Sequence, residues 1–372
     1  MTRLLRILPF SIGLTVPIAG IVLARRPDGV ALVFLPLFIF GVIPLLDLLI
    51  GRERRPLAPE SAATRARSFR YDLWLWAWIP LQLIALGLAV KSVDDGGLPW
   101  SSFVLLALST GLVTGLGINV AHELMHRRGK VERALAELLM TTTSYTHFCV
   151  EHVHGHHKHV ATPNDPASSK KGESVYAYLP RTLIGGLRSA WRIETARVKA
   201  RGLARISLRD RRLRYPLILA VVYGAAVVVA GPWGAVFFAL QSAVAITLLE
   251  VINFIEHYGL ARQELAPGRY ERCLPAHSWN ASERLTNWFL FHLQRHADHH
   301  HLASRPYFVL RHIDDSPQMP TGYAGMVLLA LVPPLWRRVM DPRVDAWTQQ
   351  QQQHDPSSSS SSSSSSAPAV SV

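Results

Sequence analysis

Long apolar runs alternate with short polar links along most of the chain. Six runs reach or approach the ~20 apolar residues that span a bilayer as helix. They are Leu4 to Ala24, Val30 to Ile50, Leu73 to Val90, Phe103 to Ala121, Pro216 to Ala230 and Ala235 to Ile255. RRPDG joins the first two and GPWG joins the last two. Both links are turn-sized, so each pair predicts a helical hairpin. Ala134 to Val150 is also apolar but holds Glu137, three threonines and His147. It predicts a helix packed at one membrane face rather than a seventh span. Tyr323 to Trp336, broken by Pro333 and Pro334, predicts an interfacial element. The expected architecture is an all-α integral membrane protein of six transmembrane helices with a helical, His-rich cap. Residues 1–345 form that domain. Residues 346–372, rich in Gln and Ser, cannot bury a core and are expected to be a disordered tail.

Charge sets the orientation. Net charge is +13, and 17% of the 372 residues are charged, against about 25% in soluble domains. The basic residues flank apolar runs instead of forming one domain, which favours a membrane surface over nucleic acid. Arg52, Arg54, Arg55, Arg65, Arg67 and Arg70 fill the second-to-third connection. RRGK at Arg127 and KARGLARISLRDRRLR from Lys199 fill the fourth-to-fifth. The positive-inside rule then places both termini and these connections in the cytoplasm. Arg25 and Arg26 are the exception. No cleaved signal peptide is expected, because the first run is too long for one.

Histidine carries the candidate chemistry. HELMH offers His122 and His126; EHVHGHH offers His152, His156 and His157; RHADHH offers His296, His299 and His300; NFIEHYGL offers His257. All fall on the cytoplasmic side of the expected topology. Spacings of three and four residues put ring nitrogens on one helix face. Neutral imidazole suits iron, zinc or copper rather than calcium or magnesium. Three such grips exceed the needs of one four-coordinate zinc, so more than one metal is expected. Cys149 and Cys273 are too few for an Fe–S or rubredoxin-type site. His147, His154, His159, His292 and His301 fall off the shared spacing and read as bystanders; His312 and His354 read as ordinary lone histidines, and His277 is open. Because metal-bound imidazole usually donates its other N–H to an oxygen, the carboxylates Glu123, Glu151, Glu256 and Asp298 are candidate partners. Glu250, inside an apolar run, should face inward. Trp279 and Asn280 either shape the site or pack.

HELMH alone satisfies the HExxH zinc-protease signature, with Glu123 as base. That reading leaves the other clustered histidines unexplained. A histidine-lined transporter would carry such residues in mid-membrane, whereas these lie at or beyond helix ends.

HELMHR, EHVHGHH, NFIEHYGL and LQRHADHH, with HSWNASERLTN and LRHIDDSPQMPTGYAGM around the last, resemble the integral-membrane alkane 1-monooxygenases. These are relatives of xylene monooxygenases and, more distantly, of fatty-acid desaturases and hydroxylases. The resemblance covers nearly the whole chain except the tail. Ala297 stands where serine is usual. It implies a non-haem di-iron site held by the nine histidines named above, in a bacterial inner-membrane enzyme that turns alkanes into 1-alkanols with O₂. It also implies electrons from a separate rubredoxin, itself reduced by an NAD(P)H-dependent reductase. A related desaturase or fatty-acid hydroxylase is the alternative. The chemistry agrees with a redox metal: an unactivated terminal C–H bond has no acidic proton or electrophilic carbon, and zinc has no redox chemistry. An alkane entering end-on among the helices would present its terminal carbon, with Phe38, Ile39 and Phe40 as candidate chain-length residues.

Overall fold

The computed structural model describes residues 7–27, 29–54, 69–94, 97–204 and 206–354. Leu4, Asp28, Arg55, Arg65, Arg67, Arg205 and the serine run lie outside them. Five helices among the described residues are long and apolar enough to cross a bilayer: α1 (Leu8–Arg25), α2 (Ala31–Ile50), α3 (Phe69–Lys91), α4 (Trp100–Met125) and, beyond two further helices, one of 47 residues, Arg211–His257. The two between are α5 (Lys130–Thr141) and α6 (Val175–Ala200). Arg211–His257 is α7. It is not straight, because Ala230 and Gly231 leave helical geometry, with Gly231 at φ +57°. The rings of Tyr223 and Phe238 lie 5.0 Å apart, where fifteen residues of continuous helix would put them ~22 Å apart. Ser144 Oγ also reaches both Tyr223 and Ser242 hydroxyls. The fifth and sixth apolar runs are therefore two arms folded side by side, turning at GPWG as their pattern predicts.

Apolar side chains stand exposed along these helices: Leu48, Leu49, Val221 and Val228 are 77%, 82%, 72% and 86% exposed. Such faces require lipid as solvent. The chain is a membrane protein.

Helix α4 runs through the centre. At Gly111 a Cβ would lie 2.5 Å from Val244 and 2.7 Å from the Gln241 carbonyl, so only glycine lets α4 and α7 approach this closely. A buried polar belt ties four helices at this level. Thr114 donates to Gln241 at 2.7 Å, Gln241 to the Thr142 carbonyl at 2.8 Å, and Gln82 to the Thr142 hydroxyl at 2.8 Å. In lipid no water would satisfy these groups, so each fixes a helix position.

A cap covers the end where α4 and α7 terminate. It includes α5, α6, the helical turns Phe148–His159, Arg284–Phe289 and His296–His301, then α8 (Tyr323–Ala330) and α9 (Pro333–His354). Asp47 on α2 anchors it, accepting backbone N–H bonds from Leu285 at 3.0 Å and Thr286 at 3.1 Å. The all-α expectation needs one correction. Glu264–Ala266 and Arg269–Tyr270 pair as an antiparallel hairpin around Gly268, whose φ of +72° makes the turn. Ala134 to Val150 does not cross the bilayer, since the rings of His122 and His152 on either side of it lie 4.6 Å apart. Helix α9 continues through the glutamine run to His354.

Candidate metal centre

Four separated segments bring their imidazoles together under the cap. Helix α4 ends in HELMH and α7 ends at His257. The nine histidines fall into two groups. His122, His126, His152, His157 and His299 form one; His156, His257, His296 and His300 form the other. Within each group every ligating nitrogen lies within 4.8 Å of the rest.

This division cuts across the sequence boxes. EHVHGHH is not a regular helix. His152–His156 forms a π turn, the wide turn often found at functional sites. It brings Nε2 of His157 to 3.1 Å from Nε2 of His152 and sends His156 to the other group. In RHADHH, His299 joins the first group, with Nε2 3.1 Å from that of His157. His296 and His300, four residues apart, join the second.

Burial pushes the imidazoles of His152, His157, His296, His299 and His300 well below the ordinary histidine range. It takes His126 down to about 3. They are neutral, the form that binds a metal. His156 is the exception. Burial is the largest single influence and lowers it, but Asp165, Glu151 and Glu256 together raise it. Nδ1 of His156 donates to Asp165 Oδ2 at 2.9 Å, which turns Nε2 toward its group. His257 is turned likewise by the His277 carbonyl, 3.4 Å from its Nδ1.

The donor set fits metal ions. Nε2 of His122, His126, His156 and His300 is buried with no hydrogen-bond partner. Other Nε2 atoms face one another at 3.1–3.3 Å. An orphaned buried nitrogen is costly, and a shared cation satisfies several at once.

The carboxylates expected to support the rings take different places. Only Glu256 among those five contacts a ligand-group ring at hydrogen-bond range, its Oε2 lying 3.2 Å from His296 Nε2. Glu123 pairs with Arg127 at 2.6 Å and accepts from the Tyr307 N–H at 3.2 Å. Asp298 is held by Arg305 and Arg311. Glu250 faces inward as expected, accepting from Tyr145 and Thr182, both at 2.9 Å. Glu151 is buried beside Gly155 and Ser189. Asp165 was not legible: nothing in PNDP links it to a histidine nine residues earlier. Its Pro166 neighbour and its capping bonds from Ser168 and Ala167 mark only a turn.

The remaining histidines stay outside both groups. His147 packs on Tyr145, His292 donates to the Tyr307 carbonyl at 3.0 Å, His301 is exposed, and His312 bonds Ser282 and Asp314. His154 and His159 are likewise absent from both. His277 faces Glu271 through Nε2 at 3.2 Å and meets the site only through its carbonyl. Trp279 and Asn280 hold backbone. The indole donates to the Tyr258 carbonyl at 2.9 Å, and the Asn280 main chain pairs with Pro317 and Met319.

An apolar cavity ends at the cage, where His122, His152, His296 and Glu256 line it. Ile39, Phe40, Leu248, Leu249 and Phe289 line its apolar length. Phe38 does not. It packs between Phe34 and Phe289, ring centroids 5.7 Å from each.

Residues 98–330 match the family model for fatty acid desaturase. The chain is 45% identical over 318 residues to alkane 1-monooxygenase 2 of Pseudomonas aeruginosa, covering 83% of each chain. It is 40% identical to the alkane 1-monooxygenase of Acinetobacter baylyi, covering 83% of this chain and 76% of that one. It is 26% identical to the xylene/toluene monooxygenase hydroxylase component of Pseudomonas putida over 84% of this chain and 82% of that protein. The chain belongs to the alkane 1-monooxygenase family.

Proposed function

We propose that this chain is a non-haem di-iron monooxygenase that hydroxylates the terminal carbon of alkanes to 1-alkanols. The observation that carries the reading is two groups of buried imidazoles closing one end of an apolar cavity. His122, His126, His152, His157 and His299 would hold one iron, and His156, His257, His296 and His300 the other. Bound there, the irons supply the O₂-reducing chemistry that no side chain of this protein offers.

The chain's own residues bind and orient. Ile39, Phe40 and Leu248 present only apolar surface to the substrate, so its chain is held by burial alone. A linear alkane entering lengthwise meets the cage with its terminal carbon, and proximity then selects that carbon. The apolar wall also keeps bulk water from the reacting end. The end-on pose would separate hydroxylation from mid-chain desaturation, and this favours the alkane reading over the desaturase alternative.

Six spans, with both termini and the cage on the cytoplasmic side of a bacterial inner membrane, fit the basic connections. A separate acidic rubredoxin, served by an NAD(P)H-dependent reductase, is the expected donor. A groove lined by Lys170, Arg188 and Arg192 leads to Asp165, which touches His156. Supply of NADH, reductase, rubredoxin and a medium-chain alkane to the purified chain tests the whole reading. It requires 1-alkanol as product and two irons per chain. An alkene, or a single zinc, refutes it.

A further inference from the structure

We propose that the Glu256 carboxylate is a tenth donor to the four-histidine group, reaching its metal from the cavity side. The inference rests on the reading of the two groups as metal centres.

Three atoms form a tight set. Glu256 Oε2 lies 3.2 Å from His296 Nε2, and His296 Nε2 lies 3.3 Å from His257 Nε2. Metal–nitrogen and metal–oxygen bonds of ~2.0–2.2 Å place neighbouring donors ~3.0–3.5 Å apart. Glu256 Oε2 stands from His296 Nε2 at nearly the spacing that separates the Nε2 atoms of His296 and His257.

Hydrogen bonding alone does not account for the set. His257 turns Nδ1 to a carbonyl, so its Nε2 carries a lone pair. Glu256 Oε2 carries lone pairs as well. Both face one nitrogen, His296 Nε2, and one proton there serves only one of them. His296 Nδ1 is buried with no partner, so ring reversal brings no gain. A cation beside the three satisfies all of them.

Charge argues the same way. Nine neutral imidazoles bring no charge of their own to two divalent ions in a buried place, and Asp165 reaches the four-histidine group only through the far nitrogen of His156. Glu256 is the one carboxylate among the residues lining the cavity. It is 2% exposed. Its other oxygen accepts from the Tyr323 hydroxyl at 2.6 Å, which fixes the carboxylate plane and leaves Oε2 aimed at the group. Being adjacent on α7, Glu256 and His257 point ~100° apart and approach the centre from two sides.

Anaerobic titration of the full chain in detergent with Fe(II), and separately with Co(II), tests the assignment. Wild type takes up two ions. The second changes the carboxylate bands in the infrared difference spectrum. Glu256→Gln keeps the first ion at wild-type affinity, binds the second at least 10–100-fold more weakly, shifts the visible bands of the second Co(II), and loses the infrared change. Glu256→Asp restores part of the affinity. Tyr323→Phe keeps the carboxylate but frees it, and weakens only the second ion, by up to about tenfold. It is the deciding variant if Glu256→Gln does not fold. Two ions bound by Glu256→Gln with unchanged affinity and spectra overturn the assignment and leave the metal centres standing. A wild type that binds fewer than two overturns both.

Discussion

Nε2 of His157 lies 3.1 Å from Nε2 of His152, five residues earlier in the chain. In a regular α-helix five residues turn ~500°, leaving the two side chains ~140° apart. The π turn at His152–His156 removes that difference. Gly155 sits inside it, and a Cβ there would meet Ser189 and Ile193 at 3.1 Å and Glu151 Oε1 at 2.5 Å. Gly155→Ala should therefore cost about 1–3 kcal/mol as an overpacked site. Because the turn positions histidines of both groups, metal retention after dialysis should fall at both. Unchanged melting temperature and metal content would show that the turn accommodates the methyl group.

Asp165 fixes the His156 tautomer through one 2.9 Å contact and is itself held by Ser168 at 2.6 Å. Partners of metal-bound imidazoles are typically worth 10–100-fold in metal affinity. Asp165→Asn can present its amide nitrogen to His156 and favour the wrong tautomer. It should weaken the four-histidine ion by about that factor and leave the five-histidine ion bound. Isothermal titration of the two ions distinguishes these outcomes, and equal weakening of both would contradict the tautomer argument.

The sequence reveals most of the membrane body, because lipid demands long apolar runs and the hairpin links are short. All nine clustered histidines are visible for a similar reason, since imidazole density of this kind has few other uses. Their division into two groups is not visible. It depends on a π turn, whereas spacings of three and four residues share a face only in a regular helix of 3.6 residues per turn. Asp165 and the His277 carbonyl escape because they approach from loops, where spacing carries no periodic signal. The cavity lining also includes Thr286, Phe289 and Leu293, from a cap segment whose pattern matches no single element. Adjacency alone groups Phe38 with Ile39 and Phe40, yet neighbouring residues of one helix face different ways, and Phe38, at the start of a second π turn, packs on Phe289.

That last difference gives a paired test. Phe40 lines the cavity, whereas Phe38 packs on Phe289 outside it. Phe40→Ala should enlarge the cavity and move the preferred alkane to longer chains. Phe38→Ala should leave the product profile nearly unchanged and lower stability by about 3–5 kcal/mol at most, less where lipid fills the gap. Gas chromatography across an alkane series measures both. A chain-length shift in Phe38→Ala and none in Phe40→Ala would reverse the assignment.

The metal-free chain should be acid-sensitive. Burial holds His126, His152, His157, His296, His299 and His300 below their unfolded value of 6.5. Below that pH the unfolded state binds more protons than the native state, so stability falls as pH falls. The loss begins near pH 6.5 and continues toward the depressed folded values, about 3 for His126. His156 and the buried Glu151 carboxyl, the latter pushed up to about 8, bind protons more readily folded than unfolded and work against the trend. Melting temperature in detergent should drop steadily from pH 7 to pH 5 without metal. With metal bound, the onset should move to lower pH, because protons must then compete with the ion. A flat profile for the metal-free chain would contradict neutral burial of the cage.

Arg188 and Arg192 are exposed on the groove above Asp165, beside the exposed Trp191. An acidic electron donor would be steered to this face, and steering decays as salt shortens the Debye length from about 30 Å at 0.01 M to about 8 Å at 0.15 M. Rubredoxin-driven turnover should therefore fall with ionic strength, chiefly through KM for rubredoxin. The double reversal Arg188→Glu, Arg192→Glu should raise that KM at least tenfold at low salt, where long-range attraction is strongest. Neither side chain belongs to the cage or lines the apolar cavity, so chemical reductant should drive the variant as well as wild type. If the reversal changes nothing, or if turnover is flat with salt, the basic face serves only to orient the chain in its membrane.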